Sequence, residues 1–208
     1  MNKSFEPLNM DFSKTVISDV ETQLWVPSPG GEVQRCQFER QFSEKGWANS
    51  LVRYPIGANF PEHGHPGGEQ FLVLEGIFSD HRGDFGPGSF IQNPIGYRHS
   101  PRSVDGCLIF VRLGALSIEA PMLTEENLFK ERVKILKTDT EDFVEFRVLE
   151  TSEEIMVQGM EIFIVEGELA LEDRLLKKHS WGRVSCTDRI NLKATLRTKI
   201  MSRPIKKL

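Results

Sequence analysis

The chain has 208 residues, a formal charge of −4, and 39% hydrophobic against 27% charged residues. That balance excludes a disordered chain and gives no electrostatic reason to expect nucleic acid as a partner. It supplies enough material for one large or two small domains, each with a real core.

Residues 1 to 12 read as a loosely ordered arm, with no apolar segment of the secretory type behind Lys3. Val16 to Val26 is β-like and stops at the turn cluster PSPGG, Pro27 to Gly31. Strands are expected over Val33 to Phe42, Ala48 to Tyr54, Phe71 to Leu74, from Phe90 to Gln92, and over Cys107 to Leu113. Thr124, followed by Glu125, Glu126, Leu128 and Phe129, suggests one short helix with Thr124 as its N-cap. Residues 116–133 then form a linker between a unit at 1–115 and a second at 134–208. Strands are expected in the second at Phe143 to Leu149, Glu161 to Val165, Glu168 to Leu171, Gly182 to Cys186 and Leu192 to Ile200. Many short strands between glycine and proline turns indicate an all-β sandwich or barrel.

No run approaches the apolar length that spans a bilayer, so no membrane partner is expected. Cys36, Cys107 and Cys186 are odd in number and lack a CxxC, which suits a cytoplasmic location without disulfides. The basic end RPIKKL, Arg203 to Leu208, reads as a solvated tail.

The chemistry concentrates between Gly57 and His99. Residues two apart on a strand share a face, so His63 and His65 project together. The Pro66 to Gly68 turn doubles the chain back so that Glu69 begins the next strand close by, and His99 supplies a third imidazole. Three imidazoles and a carboxylate make a set of protein ligands for one divalent ion. Phe71 and Val73 follow Glu69 on the inward face and predict apolar surroundings, whereas Leu72 and Leu74 face outward and need a cover. That cover is the second unit or another subunit, hence an expected homodimer or higher homo-oligomer. Gly57, Gly76, Gly88 and Gly96 stand where tight bends are needed. His81, in SDHRGD, and His179, in LLKKHSW, read as solvated histidines outside the ligand set.

Gly57, His63, His65, Glu69 and Gly76 match the first cupin motif, G-x5-H-x-H-x3-E-x6-G, without a gap. Gly88, Pro94, Gly96 and His99 match the second, G-x5-P-x-G-x2-H, with Ser103 where that motif commonly ends in asparagine. The segments HPGGEQFLVLEG, GSFIQNP and HSPRS resemble more narrowly the ChrR-like cupins. These include the cupin part of zinc anti-sigma factors and are related to the acetylacetone-cleaving dioxygenases. Over about residues 15–115 the resemblance implies a double-stranded β-helix barrel whose metal ligands are His63, His65, Glu69 and His99.

Met160 to Gly167 (MEIFIVEG) echoes Glu69 to Gly76 (EQFLVLEG). The overlay sets Met160 on Glu69, Met156 on His65, Glu154 on His63 and Ile190 on His99, a bicupin whose second barrel has lost its ligands.

Three functions fit this pattern. One is a dioxygenase-type enzyme with iron, zinc, manganese or nickel, acting on a small diketone or phenol. Glu69 is then the ligand able to take a proton, and Arg53 or Tyr54 orients the substrate. A second is a stress-sensing or regulatory zinc cupin without the anti-sigma helical domain. In the third the metal is structural.

Overall fold

The computed structural model describes residues 5–28, 33–43 and 45–205. Residues 1–4 of the expected arm, 29–31 of the turn cluster and 206–208 of the basic tail lie outside the described residues.

In chain order the strands are β1 (Val16–Ser18), β2 (Trp25–Pro27), β3 (Gln34–Arg40), β4 (Ala48–Tyr54), β5 (Ala58–Asn59), β6 (His63–Gly64), β7 (Glu69–Gly76) and β8 (Phe78–Asp80). Next come β9 (Gly83–Phe85), β10 (Phe90–Asn93), β11 (Arg98–His99), β12 (Arg102–Ser103), β13 (Cys107–Leu113), β14 (Leu123–Glu125), β15 (Val133–Lys137) and β16 (Phe143–Leu149). The last seven are β17 (Glu154–Val157), β18 (Met160–Glu166), β19 (Glu168–Leu171), β20 (Arg174–Lys177), β21 (Trp181–Val184), β22 (Ile190–Ala194) and β23 (Thr198–Pro204). The one helical turn among the described residues is a 3₁₀ turn, Val20–Thr22, capped by the Asp19 carboxylate, which accepts from the Glu21 amide at 3.0 Å. No helix among them is long and apolar enough to cross a membrane.

The chain divides into two compact units, and the boundaries differ from those expected. Among the described residues the first holds 5–10 and those of 24–127, the second 11–23 and 128–205. Two strand pairings cause the difference. β1 pairs antiparallel with β21 (Ile17 opposite Gly182), so the residues before Leu24 belong to the second unit. β14 pairs with β10 (Ile91 opposite Thr124), so Thr124 lies in a strand, not in a helix, and the expected linker is partly sheet. An open edge on β10 satisfies backbone groups that a short isolated helix would leave half paired. The arm is also anchored: Leu8 bridges Arg40, and the Asn9 amide donates to the Phe38 carbonyl at 2.8 Å.

In the first unit the large sheet runs β14-β10-β7-β13-β4-β3-β2, with β5-β12-β8-β9 and the β6–β11 pair completing the layers. Its inward side packs Val52, Phe71, Val73, Phe78, Ile109 and Val111. In the second unit the large sheet runs β1-β21-β18-β23-β16-β15 beside β17-β22-β19-β20. Its core holds Val157, Ile162, Ile164, Leu169, Leu192 and Ile200.

The strand order β10-β7-β13-β4-β3 therefore recurs as β21-β18-β23-β16-β15, and the registers agree in detail. Glu69 faces Asn93 and Leu72 faces Phe90, as Met160 faces Val184 and Phe163 faces Trp181. Each long strand then carries a bulge four residues on. Leu74 is the extra residue after Val73 in one unit, and Val165 after Ile164 in the other. Each ends on a left-handed glycine, Gly76 at φ 71° and Gly167 at φ 94°. A Cβ at Gly76 would overlap the Gly106 carbonyl oxygen, and one at Gly167 would stand 2.7 Å from Thr198 Cα.

The overlay of β17 shifts, however. Val157 faces Ile190 while Glu154 faces Lys193, so Val157 rather than Glu154 sits across from the His99 counterpart. Met156 is 66% exposed and does not point inward, because the turn into β18 is shorter than the Pro66–Gly68 turn. His179 is buried, with its ring stacked 6.0 Å from Phe163, contrary to the solvated reading. Leu72 is 0% exposed within the single chain and Leu74 half-buried, so a second subunit is not needed to cover them.

Candidate metal centre

β6 and β11 are only two residues long, and their pairing sets His63 directly opposite His99. His65 follows two residues on from His63, so their rings meet edge to face at 5.1 Å. The chain then turns at Gly68, whose amide bonds the His65 carbonyl at 3.0 Å. Gly68 has φ 71°, and a Cβ there would press on Leu116 carbons at 2.6 Å, so only glycine delivers Glu69 to the start of β7. One donor atom from each of His63, His65 and His99 lies within 4.8 Å of the others, close enough to share one cation.

Glu69 closes the group. Its Oε1 is 3.5 Å from His65 Nε2 and its Oε2 is 3.6 Å from His99 Nε2. Adjacent ligand atoms bound at about 2.1 Å to one ion stand about 3.0–3.4 Å apart. The donor chemistry fits a divalent ion in another respect: His65 Nε2 and His99 Nε2 are buried without a hydrogen-bond partner. Leaving such groups unpaired is costly unless something binds them. The His63 Nδ1 contacts the Pro61 carbonyl at 3.0 Å, a contact that places its proton there and leaves Nε2 for a ligand role.

Behind these four side chains stands a polar network that sequence reasoning did not find. Asn93, on β10 opposite Glu69, donates from Nδ2 to Glu69 Oε2 at 2.8 Å. Arg82 donates from Nη2 to Asn93 Oδ1 at 2.8 Å and to Asp80 Oδ2 at 2.9 Å. Asp80 Oδ2 is 3.6 Å from His99 Nδ1 and orients that ring. Burial works to raise the Asp80 pKa, but His99 and Arg82 outweigh it and hold the carboxyl far below the usual range. Burial also pushes the His65 imidazole below its ordinary 6.5; Glu69 opposes this, while His63 and His99 add to it. Exposed His81 contacts the Tyr97 hydroxyl at 3.1 Å, outside the ligand group. Ser103 donates to the Ile77 carbonyl at 2.6 Å and likewise stands outside it.

A cavity of about 430 Å³ opens onto His63, His65 and Glu69, with Val52, Ile109, Val111 and Leu113 as apolar walls. Phe71 and Val73 lie in the core packed around these walls and do not line the cavity. Tyr54 does line it, and burial first, then Glu69 and Cys107, raises its phenol well above the ordinary range, so it stays protonated. Arg53 does not. It is exposed, with its guanidinium 4.1 Å over the Trp25 ring. The inward arginines are Arg35 and Arg40, both on β3. All three cysteines are free.

A family model described as the ChrR cupin-like domain matches residues 13–117, half of the chain. The chain belongs to the ChrR cupin-like family. No curated protein matches the sequence. Among solved structures, this family member is similar to bacterial pirin YhhW from Escherichia coli in complex with nickel(II): 12% identity, TM-score 0.70, 94% of this chain and 100% of that one. It is similar to Ylba from E. coli at 14% identity and TM-score 0.72, covering 100% and 96%. Salicylate 1,2-dioxygenase from Pseudaminobacter salicylatoxidans matches at 10% identity and TM-score 0.65, over 98% and 86%. At such identities these likenesses establish the cupin fold and nothing finer.

Proposed function

We propose that this protein is a metal-dependent enzyme of the dioxygenase type, acting on a small diketone or phenol. One divalent ion is held by His63, His65, Glu69 and His99. The observation that carries this reading is the cavity of about 430 Å³ opening directly onto three of those side chains. A purely structural zinc site has no use for such space, whereas an enzyme needs it. A bound ion supplies Lewis acidity and open coordination positions. Around it, Glu69 takes a proton from the substrate, and Tyr54 donates a hydrogen bond into the cavity. The walls of Val52, Ile109 and Val111 exclude water. Asn93 and Asp80 hold Glu69 and His99 in place. The nickel(II) complex and the dioxygenase among the structural neighbours support a metal role for this fold.

We read the second unit as a degenerate cupin. The shared strand order, register and bulge support this, and Val157, Met160 and Ile190 pack where ligands would stand. The test is to identify the metal in purified protein and follow oxygen consumption with a panel of β-diketones and phenols. Iron with turnover supports the enzyme. Tightly held zinc without turnover supports the regulatory zinc cupin instead.

A further inference from the structure

Ser50 and Glu69 apart, the residues that β4, β7 and β13 turn to the cavity are apolar or aromatic, whereas β3 sets arginines there. Arg35 faces Val52, Val52 faces Ile109 and Ile109 faces Val73, so a guanidinium shares a ring with three aliphatic core residues. Two rungs away, a bulge between Gln37 and Glu39 resets the strand. Arg40 then falls on the rung Arg40, Ala48, Leu113, Glu69, which is the rung of the carboxylate ligand. Both arginines line the cavity that opens onto His63, His65 and Glu69. Without the bulge, Arg40 would point to the other face of the sheet.

A lining selected for packing alone would carry valine or isoleucine at these two wall positions. Arg40 is pre-oriented, since its Nε donates to the Ser43 carbonyl at 2.8 Å. Tyr54 lines the same cavity as Arg35 and Glu69. A guanidinium presents a planar fork matched to a carboxylate.

We propose that the cavity selects a small organic carboxylate, with Arg35 as the specificity residue and Arg40 adding to the field. The substrate class is a hydroxy or keto acid of single-ring size. Its carboxylate lies on the arginine wall and its second oxygen reaches the metal end. This deepens the enzyme reading above and rests on it for the second oxygen alone.

The test uses the full chain stripped of metal by chelator, titrated calorimetrically with benzoate and with its neutral analogue benzamide. Benzoate is expected to bind at least about tenfold more tightly than benzamide, the scale of one charge-assisted hydrogen bond. Arg35→Gln should lower benzoate affinity by about tenfold or more, with Arg35→Lys recovering part of it. Arg40→Gln should lower it less and serves as the second variant if Arg35→Gln misfolds. Metal content of each arginine variant should equal that of the parent chain. Equal binding of benzoate and benzamide, or no benzoate binding, overturns the inference. Charge-selective benzoate binding by a chain that takes up no metal upholds the arginine wall and sinks the enzyme reading. A chain that loads metal but ignores benzoate does the reverse.

Discussion

In the first unit the rung that opens β7 carries Glu69 opposite Asn93; in the second the same rung carries Met160 opposite Val184. Across the adjoining strands His63 faces His99 in one unit, and Val157 faces Ile190 in the other. The strand order, the bulge and the terminal glycine are common to both, while the donor atoms are confined to one. The two units thus share a sheet arrangement but not the side chains at these positions. The sheets are held by apolar rungs, and the inward positions near the barrel mouth are free to be chemical in one unit and greasy in the other.

Substitutions at matched places should separate the two roles. His63→Ala, His65→Ala or His99→Ala is expected to reduce metal content from one ion per chain to near none, with the melting temperature of the metal-free protein almost unchanged for His63 and His65 and lowered for the buried His99. Elemental analysis and calorimetry of each variant check this. In the second unit Leu192→Ala should do the opposite. Leu192 is 1% exposed, so truncation should cost about 2–5 kcal/mol of stability with metal content unaffected, as denaturant titration would show. A fall in metal uptake by the folded Leu192 variant would break the separation.

Asn93→Ala tests the supporting network. It removes the donor to Glu69 Oε2 and should weaken metal affinity about 10- to 100-fold, measured by competition with a chelating dye. The smallest effect concerns pH. The His65 pKa is lowered in the folded state, so the unfolded chain binds the proton more readily. The stability contribution of neutral His65 is therefore complete above its ordinary pKa of 6.5 and lost as pH falls towards the lowered folded value. Metal-free protein should lose stability over that window, and His65→Gln should flatten the loss. A steeper slope in the variant would contradict it.

The grouping of the histidines was legible because strand alternation fixes where His63 and His65 point, and because glycines at Gly57, Gly76, Gly88 and Gly96, all at positive φ, mark the bends. The strands β4 and β13 were legible from continuous β-prone runs with the bounds found. The exchange of β1 and β14 was not, since three-residue strands carry no periodicity and their partners are distant in sequence. Nor were Asn93, Asp80 and Arg82, whose polar side chains read as ordinary turn residues until Glu69 and His99 are placed beside them. The bulge in β3 hid Arg40 by the same logic, because alternation counted from Arg35 points it the wrong way.

The most direct measurement is an anomalous-scattering map, collected at the absorption edge of whichever metal co-purifies, from crystals of the full chain. One peak per chain, bounded by His63, His65, Glu69 and His99, is the predicted result. A peak among residues 150–195, or a metal held without Glu69, would contradict the account.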